Sequence, residues 1–171
     1  MIKAVAPHMI ARRSGKIVNV GSISGIVTTP FSGCYCATKA AFHCISDALR
    51  MELKPFGVDV MVVAPGKVGT NIASNASGDK ELPQDSVYLP VKDGLEKRVT
   101  STQEGCMPAP KFAKSTVTAI LNSRQAYFYE GPLSFLLPFI KRWLPLWLVD
   151  WILSRQFQLT RLRKLLAEKQ Q

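Results

Sequence analysis

Gly15 to Ser22 read GKIVNVGS, Tyr35 to Lys54 read YCATKAAFHCISDALRMELK, and Val58 to Gly66 read VDVMVVAPG. The first and third stretches are short, rich in β-branched residues and end at glycine or proline, which is typical of buried strands. The middle stretch repeats small and apolar residues at helical spacing and stops at a Pro-Phe-Gly sequence. Strand, helix and strand in this order, with short links, predict a right-handed βαβ unit in a parallel sheet.

The segments on both sides extend this α/β pattern. Residues 1–13 have apolar residues at helical spacing, and because no cap or turn precedes them we expect a chain truncated at its N-terminus. Phe112 to Leu121 predicts a further helix, and Ala126 to Tyr129 predicts a last strand. The polar stretch from about Asn71 to Pro110 shows little periodicity, which predicts a mobile surface segment or a substrate lid.

The chain is basic and shows no metal-site pattern. Its 171 residues include 22 Lys and Arg against 12 Asp and Glu, a formal net charge of +10 that favours an anionic partner or surface. The basic residues are spread along the chain without a recognised binding motif, so we expect no nucleic-acid partner. The four cysteines follow neither a metal-ligand spacing nor a disulfide framework. We therefore expect free thiols in a reducing compartment and no bound metal.

The segment from Leu133 to Leu153 differs from the rest of the chain. Its bulkiest apolar residues are Phe135, Phe139, Trp143, Trp147 and Trp151. Prolines and charges interrupt it, and a charge at the bilayer centre costs roughly 2.5–3.5 kcal/mol on insertion scales, which argues against a spanning helix. Tryptophan beside Lys and Arg, followed by a basic tail, favours a helix or hairpin that lies in one leaflet. The alternative is that these aromatic residues form part of a soluble core or of an oligomer interface.

Three side chains form a candidate proton-transfer group. Tyr35 and Lys39 are four residues apart at the start of the predicted helix, so they lie on one face about one turn apart. A phenol holds its proton tightly near neutral pH and needs a nearby cation to exchange it readily. Ser22, at the end of the first strand, is placed to hydrogen-bond a substrate oxygen as charge develops on it.

These segments, in this order and with thirteen residues from Ser22 to Tyr35, resemble the short-chain dehydrogenase/reductase family over roughly residues 1–129. The resemblance implies a Rossmann-like, doubly wound parallel α/β sheet, present here as its C-terminal half with a hydrophobic helical extension. It also implies hydride transfer between a nicotinamide cofactor and a carbonyl or secondary alcohol. In the family, the serine matching Ser22 orients the carbonyl or alcohol, and the tyrosine matching Tyr35 is the acid or base. The lysine matching Lys39 favours ionisation of that tyrosine and holds the nicotinamide ribose.

The resemblance places further residues beside the cofactor. In addition to Tyr35 and Lys39, these are Asn19, Pro65, Gly66, Val68 and Thr70. The family's glycine-rich nucleotide turn and the residue that distinguishes NAD from NADP would lie before Met1. NADPH is the expected cofactor, with NADP favoured over NAD although these residues do not decide it. We also expect the truncated chain to bind cofactor weakly on its own.

Within the family, Tyr127 to Gly131 and the Trp/Leu-rich end resemble the acyl-dihydroxyacetone-phosphate reductases. This implies reduction of 1-acyl-dihydroxyacetone phosphate to lysophosphatidic acid on the cytoplasmic face of the endoplasmic reticulum membrane or at a lipid droplet. The expected partners are a lipid-like ketone or alcohol and that membrane or droplet surface, with a homo-oligomer left open. The alternatives are a retinoid or steroid dehydrogenase and a catalytically silent fragment. We expect residues 1–131 to form a partial catalytic domain and residues 132–171 a membrane-associating segment.

Overall fold

A three-stranded parallel sheet lies at the centre of the fold, which a computed structural model describes for residues 1–71, 82–100 and 104–168. The strands are β1 (Gly15–Val20), β2 (Val58–Pro65), β3 (Val68–Gly69), β4 (Met107–Pro108) and β5 (Tyr127–Glu130). The helices are α1 (Ile2–Ala11), α2 (Gly33–Leu53), α3 (Lys92–Thr100), α4 (Ala109–Asn122), α5 (Leu136–Trp143), α6 (Leu146–Gln156) and α7 (Leu159–Glu168). Short 3-10 turns cover Ile23–Gly25, Lys54–Phe56 and Leu89–Val91.

The sheet has the order β1-β2-β5, and both pairings are parallel. Gly15 pairs with Val58 at one end of the β1–β2 ladder, and Val62 pairs with Tyr127 where β5 joins. The predicted βαβ unit and the predicted last strand are therefore confirmed. A second, two-stranded parallel ribbon joins β3 to β4.

The core is centred on β2, the middle strand. Val58, Met61, Val62, Val63 and Ala64 are each at most 2% exposed. A strand covered on both faces needs a continuous apolar run, which explains why its sequence does not alternate. On one face, α1 and the end of α2 pack against a buried cluster that β1 and β2 share.

In its described residues, the polar stretch between β2 and α4 contains a helix that its composition did not predict. Helix α3 follows the turn at Leu89–Val91, where Val91 is fully buried. A Cβ on Gly94 would lie 2.4 Å from the carbonyl oxygen of Phe157, so this helix packs directly against the C-terminal segment. Tertiary packing thus stabilises a segment that has weak helical periodicity. Residues 72–81 and 101–103 of the predicted lid lie outside the described residues.

The segment from Leu133 to Leu153, which was expected to form one helix or a hairpin, contains α5 and most of α6, and α7 follows it. Pro145 caps α6 and separates it from α5. Helix α7 returns to the body of the protein, where Phe157 and Leu162 are buried and the helix contacts the Leu89–Val91 turn. In the described part of the chain, no helix combines the length and the apolar character needed to cross a bilayer.

Candidate active site

The candidate residues gather where the parallel strands end. Ser22 follows β1, Gly66 follows β2 and Gly131 follows β5, so all three turns lie at the carboxyl edge of the sheet. Ligands of open parallel α/β sheets bind at this edge. Helix α2 begins on the same side, since a Cβ on Gly25, in the turn after Ser22, would lie 2.9 Å from the backbone carbonyl of Lys39. The structure therefore brings Ser22 and the first turns of α2 together.

Tyr35 and Lys39 lie on one face of α2, as their spacing predicts. The Nζ atom of Lys39 is 5.8 Å from the centroid of the Tyr35 ring. Tyr35 is 43% exposed, and neither its hydroxyl nor the Lys39 ammonium has a hydrogen-bond partner within residues 1–71, 82–100 and 104–168. An ammonium has three donors, so both groups are open to an incoming ligand.

Ser22 is fixed at both its side chain and its backbone. Its Oγ atom accepts a hydrogen bond from the Ser24 N–H at 3.1 Å, which caps the Ile23–Gly25 turn. Its own N–H donates to Nε2 of His43 at 3.3 Å. The hydroxyl proton of Ser22 therefore remains available for a substrate oxygen.

His43 is a buried neighbour of the site that the sequence analysis did not single out. Its side chain is one turn beyond Lys39 on α2 and is only 5% exposed. Burial lowers the pKa of His43, and Lys39 acts in the same direction while Asp47 opposes it. The imidazole is therefore neutral at neutral pH. The recurrence of Tyr35, Lys39 and His43 at four-residue intervals is a signal that the sequence contained.

Asn19 contacts α2 at Ser46, which is seven residues beyond Lys39. Its Nδ2 atom donates to Oγ of Ser46 at 2.9 Å, and the Ser46 hydroxyl donates to the Phe42 carbonyl at 2.7 Å. Ser46 is eleven residues after Tyr35, or about 16 Å along the helix at 1.5 Å per residue. The amide of Asn19, which is 6% exposed, ties β1 to the middle of α2.

The other predicted cofactor residues follow β2. Pro65 ends the strand, and the Gly66 N–H donates to the Glu130 carbonyl at 2.8 Å. A Cβ on Gly66 would lie 2.4 Å from the carbonyl oxygen of Pro132, so only glycine fits where the two chain segments touch. Val68 lies in the half-buried ribbon strand β3, and Thr70 is exposed beyond it. Pro65 and Gly66 therefore lie at the same carboxyl edge as Ser22, and Val68 and Thr70 follow them in the chain.

A second polar group lies behind His43. The Tyr127 hydroxyl donates to Oδ2 of Asp47 at 2.9 Å, and Arg50 pairs with the other carboxylate oxygen at 3.3 Å. Burial and the hydrogen bond to Asp47 raise the pKa of Tyr127 well above its ordinary value. Tyr127 therefore stays neutral, and its ring meets the His43 ring edge-on with centroids 5.7 Å apart.

Comparison with known proteins decides the family. Residues 1–81 match the family model described as short chain dehydrogenase, and curated short-chain dehydrogenases align with most of the chain. The chain belongs to the short-chain dehydrogenase/reductase family. Members of this family are NAD(P)-dependent oxidoreductases, in agreement with the sequence analysis.

Two short-chain dehydrogenase/reductase relatives indicate how far the likeness extends. The short-chain dehydrogenase RED1 of Pyricularia oryzae is 36% identical over 156 residues, which cover 90% of this chain and 55% of that protein. The NADPH-dependent 1-acyldihydroxyacetone phosphate reductase of Saccharomyces cerevisiae is 33% identical over 167 residues, which cover 95% of this chain and 56% of that protein. The chain thus spans about half the length of the curated relatives it matches.

A solved structure confirms the Rossmann-like fold. A short-chain dehydrogenase from Streptomyces avermitilis superposes with a TM-score of 0.63 over 93% of this chain and 56% of its own. At 24% identity this likeness establishes the fold alone.

Proposed function

We propose that this short-chain dehydrogenase/reductase chain carries the catalytic residues of an NADPH-dependent enzyme that reduces a lipid ketone. The observation that carries the proposal is the placement of Tyr35 and Lys39 on one face of α2, against the turn that begins at Ser22. The relative from S. cerevisiae, whose name states both NADPH and 1-acyldihydroxyacetone phosphate, supports that ketone as the substrate. Lysophosphatidic acid is then the product.

The chemistry follows from the three side chains. The Ser22 hydroxyl donates a hydrogen bond to the ketone oxygen and stabilises the negative charge that grows there. Tyr35 then gives its proton to that oxygen, and the Lys39 ammonium, 5.8 Å from the ring centroid, stabilises the phenolate left behind. The nicotinamide cofactor, when bound, supplies the hydride.

The open donors at this edge fit a nicotinamide nucleoside. The Lys39 ammonium and the Tyr35 hydroxyl are unengaged within the described residues and suit the hydroxyls of a ribose. Pro65 and Gly66 form a close-packed turn against which a flat ring can lie, with Val68 and Thr70 following it. A phosphorylated cofactor and a phosphorylated substrate also suit a chain whose net charge is +10.

Helices α5 and α6 support a second part of the proposal, which is that the protein works at an anionic lipid surface. Large apolar side chains of these helices and of Phe135, the residue before α5, face solvent: Phe135 is 77%, Trp143 68% and Trp147 69% exposed. An exposed apolar face beside basic residues is typical of helices that lie in a membrane interface. Exposed basic residues of the same helices are Lys141, Arg142 and Arg155.

Turnover and cofactor binding test the enzymatic proposal. We would follow NADPH oxidation by the longest chain that the gene encodes, with 1-acyl-dihydroxyacetone phosphate, a retinal or a steroid ketone. Tyr35→Phe removes the proton donor, so kcat is expected to fall roughly 10²–10⁴-fold while NADPH affinity is retained. Tyr88→Phe is the matched control, because Tyr88 is 42% exposed against 43% for Tyr35. Turnover of the retinoid or steroid alone would overturn the substrate assignment, and absence of both NADPH binding and turnover would favour the silent fragment.

Tryptophan fluorescence tests the lipid proposal directly, since all three tryptophans of the chain lie on α5 and α6. We expect a blue shift and co-flotation with vesicles of phosphatidylcholine and phosphatidic acid, both weaker with phosphatidylcholine alone or in high salt. Trp147→Glu is expected to abolish flotation, whereas Arg124→Glu, a change at an 89%-exposed side chain away from these helices, should reduce it only slightly. Flotation that is equal for both variants would contradict the assignment of this face.

A further inference from the structure

The His43 side chain extends from α2 and packs against the Ser22 turn, which is the Ile23–Gly25 turn that Ser22 caps. Two glycines flank that turn, and a Cβ on Gly21 would lie 2.2 Å from Nε2 of His43. A Cβ on Gly25 would lie 2.9 Å from Cε1 of the same ring. The ring is thus in close contact with both ends of the turn, and the Ser22 N–H between them donates to it.

The hydrogen bond defines the chemical form of the ring. An N–H can only donate, so Nε2 must be unprotonated and the proton of the neutral ring resides on Nδ1. Nδ1 is buried and has no hydrogen-bond partner in the described part of the chain. Doubly protonated imidazole has no acceptor, so protonation would break the bond to Ser22 and place two N–H groups facing each other.

We infer that His43 is a positioning residue that fixes Ser22 against the helix carrying Tyr35 and Lys39, and that only its neutral form does so. This role rests on the proposed function, because it matters for catalysis only if Ser22, Tyr35 and Lys39 act together. His43 acts through the hydrogen bond that its ring accepts from the Ser22 backbone N–H.

Charged groups from the elements packed against the ring act on His43 in opposite directions. On α2 these are Asp47, which favours the charged imidazole, and Lys39, which disfavours it. From β5, Tyr127 meets the ring and remains neutral because its pKa is raised, and residues 21–25 include no charged side chain. Burial is the largest effect and lowers the pKa of His43, so the bond to Ser22 is intact at neutral pH and is lost on acidification below the ordinary histidine range.

The pH profile of kcat tests the inference in the longest encoded chain. His43→Leu removes the acceptor, and a displacement of Ser22 by about 1 Å is expected to lower kcat roughly 10²-fold. His43→Gln offers a carbonyl oxygen near the position of Nε2, so it should recover most of the lost kcat and should also lack the acidic decline that His43 causes. His8→Gln, at the other histidine of these 171 residues, should leave the profile unchanged. Wild-type kcat in His43→Leu, or an unchanged acidic decline in His43→Gln, would overturn the inference.

A measurement that needs no turnover separates this inference from the proposed function. In ¹⁵N and ¹³C NMR spectra, the Ser22 amide resonance should shift with the same midpoint as the His43 ring, and this shift should vanish in His43→Gln. If the wild type reduces no ketone, the proposed function fails while this coupling still tests the His43–Ser22 contact. A Ser22 amide that does not respond while His43 titrates would refute the contact, even if His43→Leu fails to fold.

Discussion

Replacing Gly25 with alanine tests how closely the Ser22 turn is seated on α2. The new Cβ would lie 2.9 Å from the carbonyl carbon and oxygen of Lys39 and from Cε1 of His43. Carbon atoms in contact settle at about 3.5–4.0 Å, so the turn must move away by roughly 0.6–1.1 Å. Neither a helix backbone nor a buried ring yields easily, and the displacement therefore falls on the turn and on Ser22.

Two opposing effects determine how much stability the Gly25→Ala variant loses. Overpacking lowers the free energy of unfolding by about 2 kcal/mol, the middle of its usual range. The lower conformational entropy of the unfolded alanine variant raises it by about 0.7 kcal/mol. The net loss of about 1.3 kcal/mol corresponds to a decrease in Tm of about 3–5 °C for a chain of this size. Because Ser22 moves with the turn, kcat should fall by up to about 10²-fold.

Gly33→Ala is the matched control, because a Cβ at Gly33 has no neighbour within 4 Å and the residue is the first of α2. This variant gains the entropic benefit without a clash, so its Tm should equal or exceed that of the wild type. Thermal unfolding followed by circular dichroism, with kcat measured on the same samples, compares the two. A Gly25→Ala variant with the Tm and kcat of the wild type would show that the turn is not seated as tightly as described.

Three further substitutions have defined outcomes. Met61→Ala, at a 1%-exposed position in the central strand, should cost about 2–5 kcal/mol in denaturant unfolding, and a cost below 1 kcal/mol would contradict its place in the core. Asn19→Ala should lower stability by about 1 kcal/mol through loss of the bond to Ser46, whereas weaker NADPH binding at unchanged stability would show that Asn19 serves the predicted cofactor contact instead. The raised pKa of Tyr127 means that the unfolded chain releases this proton first, so stability should fall as the pH rises past about 10 and should fall less in Tyr127→Phe. Equal alkaline profiles for the two proteins would refute this.

The central part of the fold was predictable because its local and long-range preferences agree. The apolar run from Val58 to Ala64 was expected as a strand, and the structure extends it by one residue to Pro65. The predicted helix from Tyr35 to Lys54 runs from Gly33 to Leu53. In both segments the burial pattern that the sequence encodes is the one that the sheet uses, so the boundaries move by no more than two residues.

Where packing decides the structure, the sequence was less informative. Helix α3 (KDGLEKRVT) is strongly polar and forms where Gly94 meets the backbone of Phe157, a contact between residues far apart in the chain. The role of His43 was hidden for the same reason. Its four-residue spacing from Lys39 was visible, but the turn that donates to it comes from the end of β1. Single-sequence patterns show which face a residue occupies and do not show what meets that face.

The C-terminal helices also contact the loop between Ser22 and Tyr35. Lys141 on α5 donates to the carbonyl of Ile26, and Phe157 packs edge-on against Phe31 with centroids 6.4 Å apart. Phe31 has a positive φ of 63°, a conformation that a bulky residue keeps only when its surroundings hold it. The Tyr88 ring also packs edge-on against Phe31, with centroids 5.7 Å apart.

These contacts connect the two parts of the proposed function. The loop that leads into Tyr35 is held by the same C-terminal segment whose apolar face is proposed to lie on lipid. Any shift of α5 and α6 at a membrane would therefore be transmitted to the Ile26–Phe31 loop through Lys141 and Phe157. Under the proposed function, lipid binding and proton transfer are expected to be coupled through this loop, because interfaces of packed side chains transmit displacement instead of absorbing it.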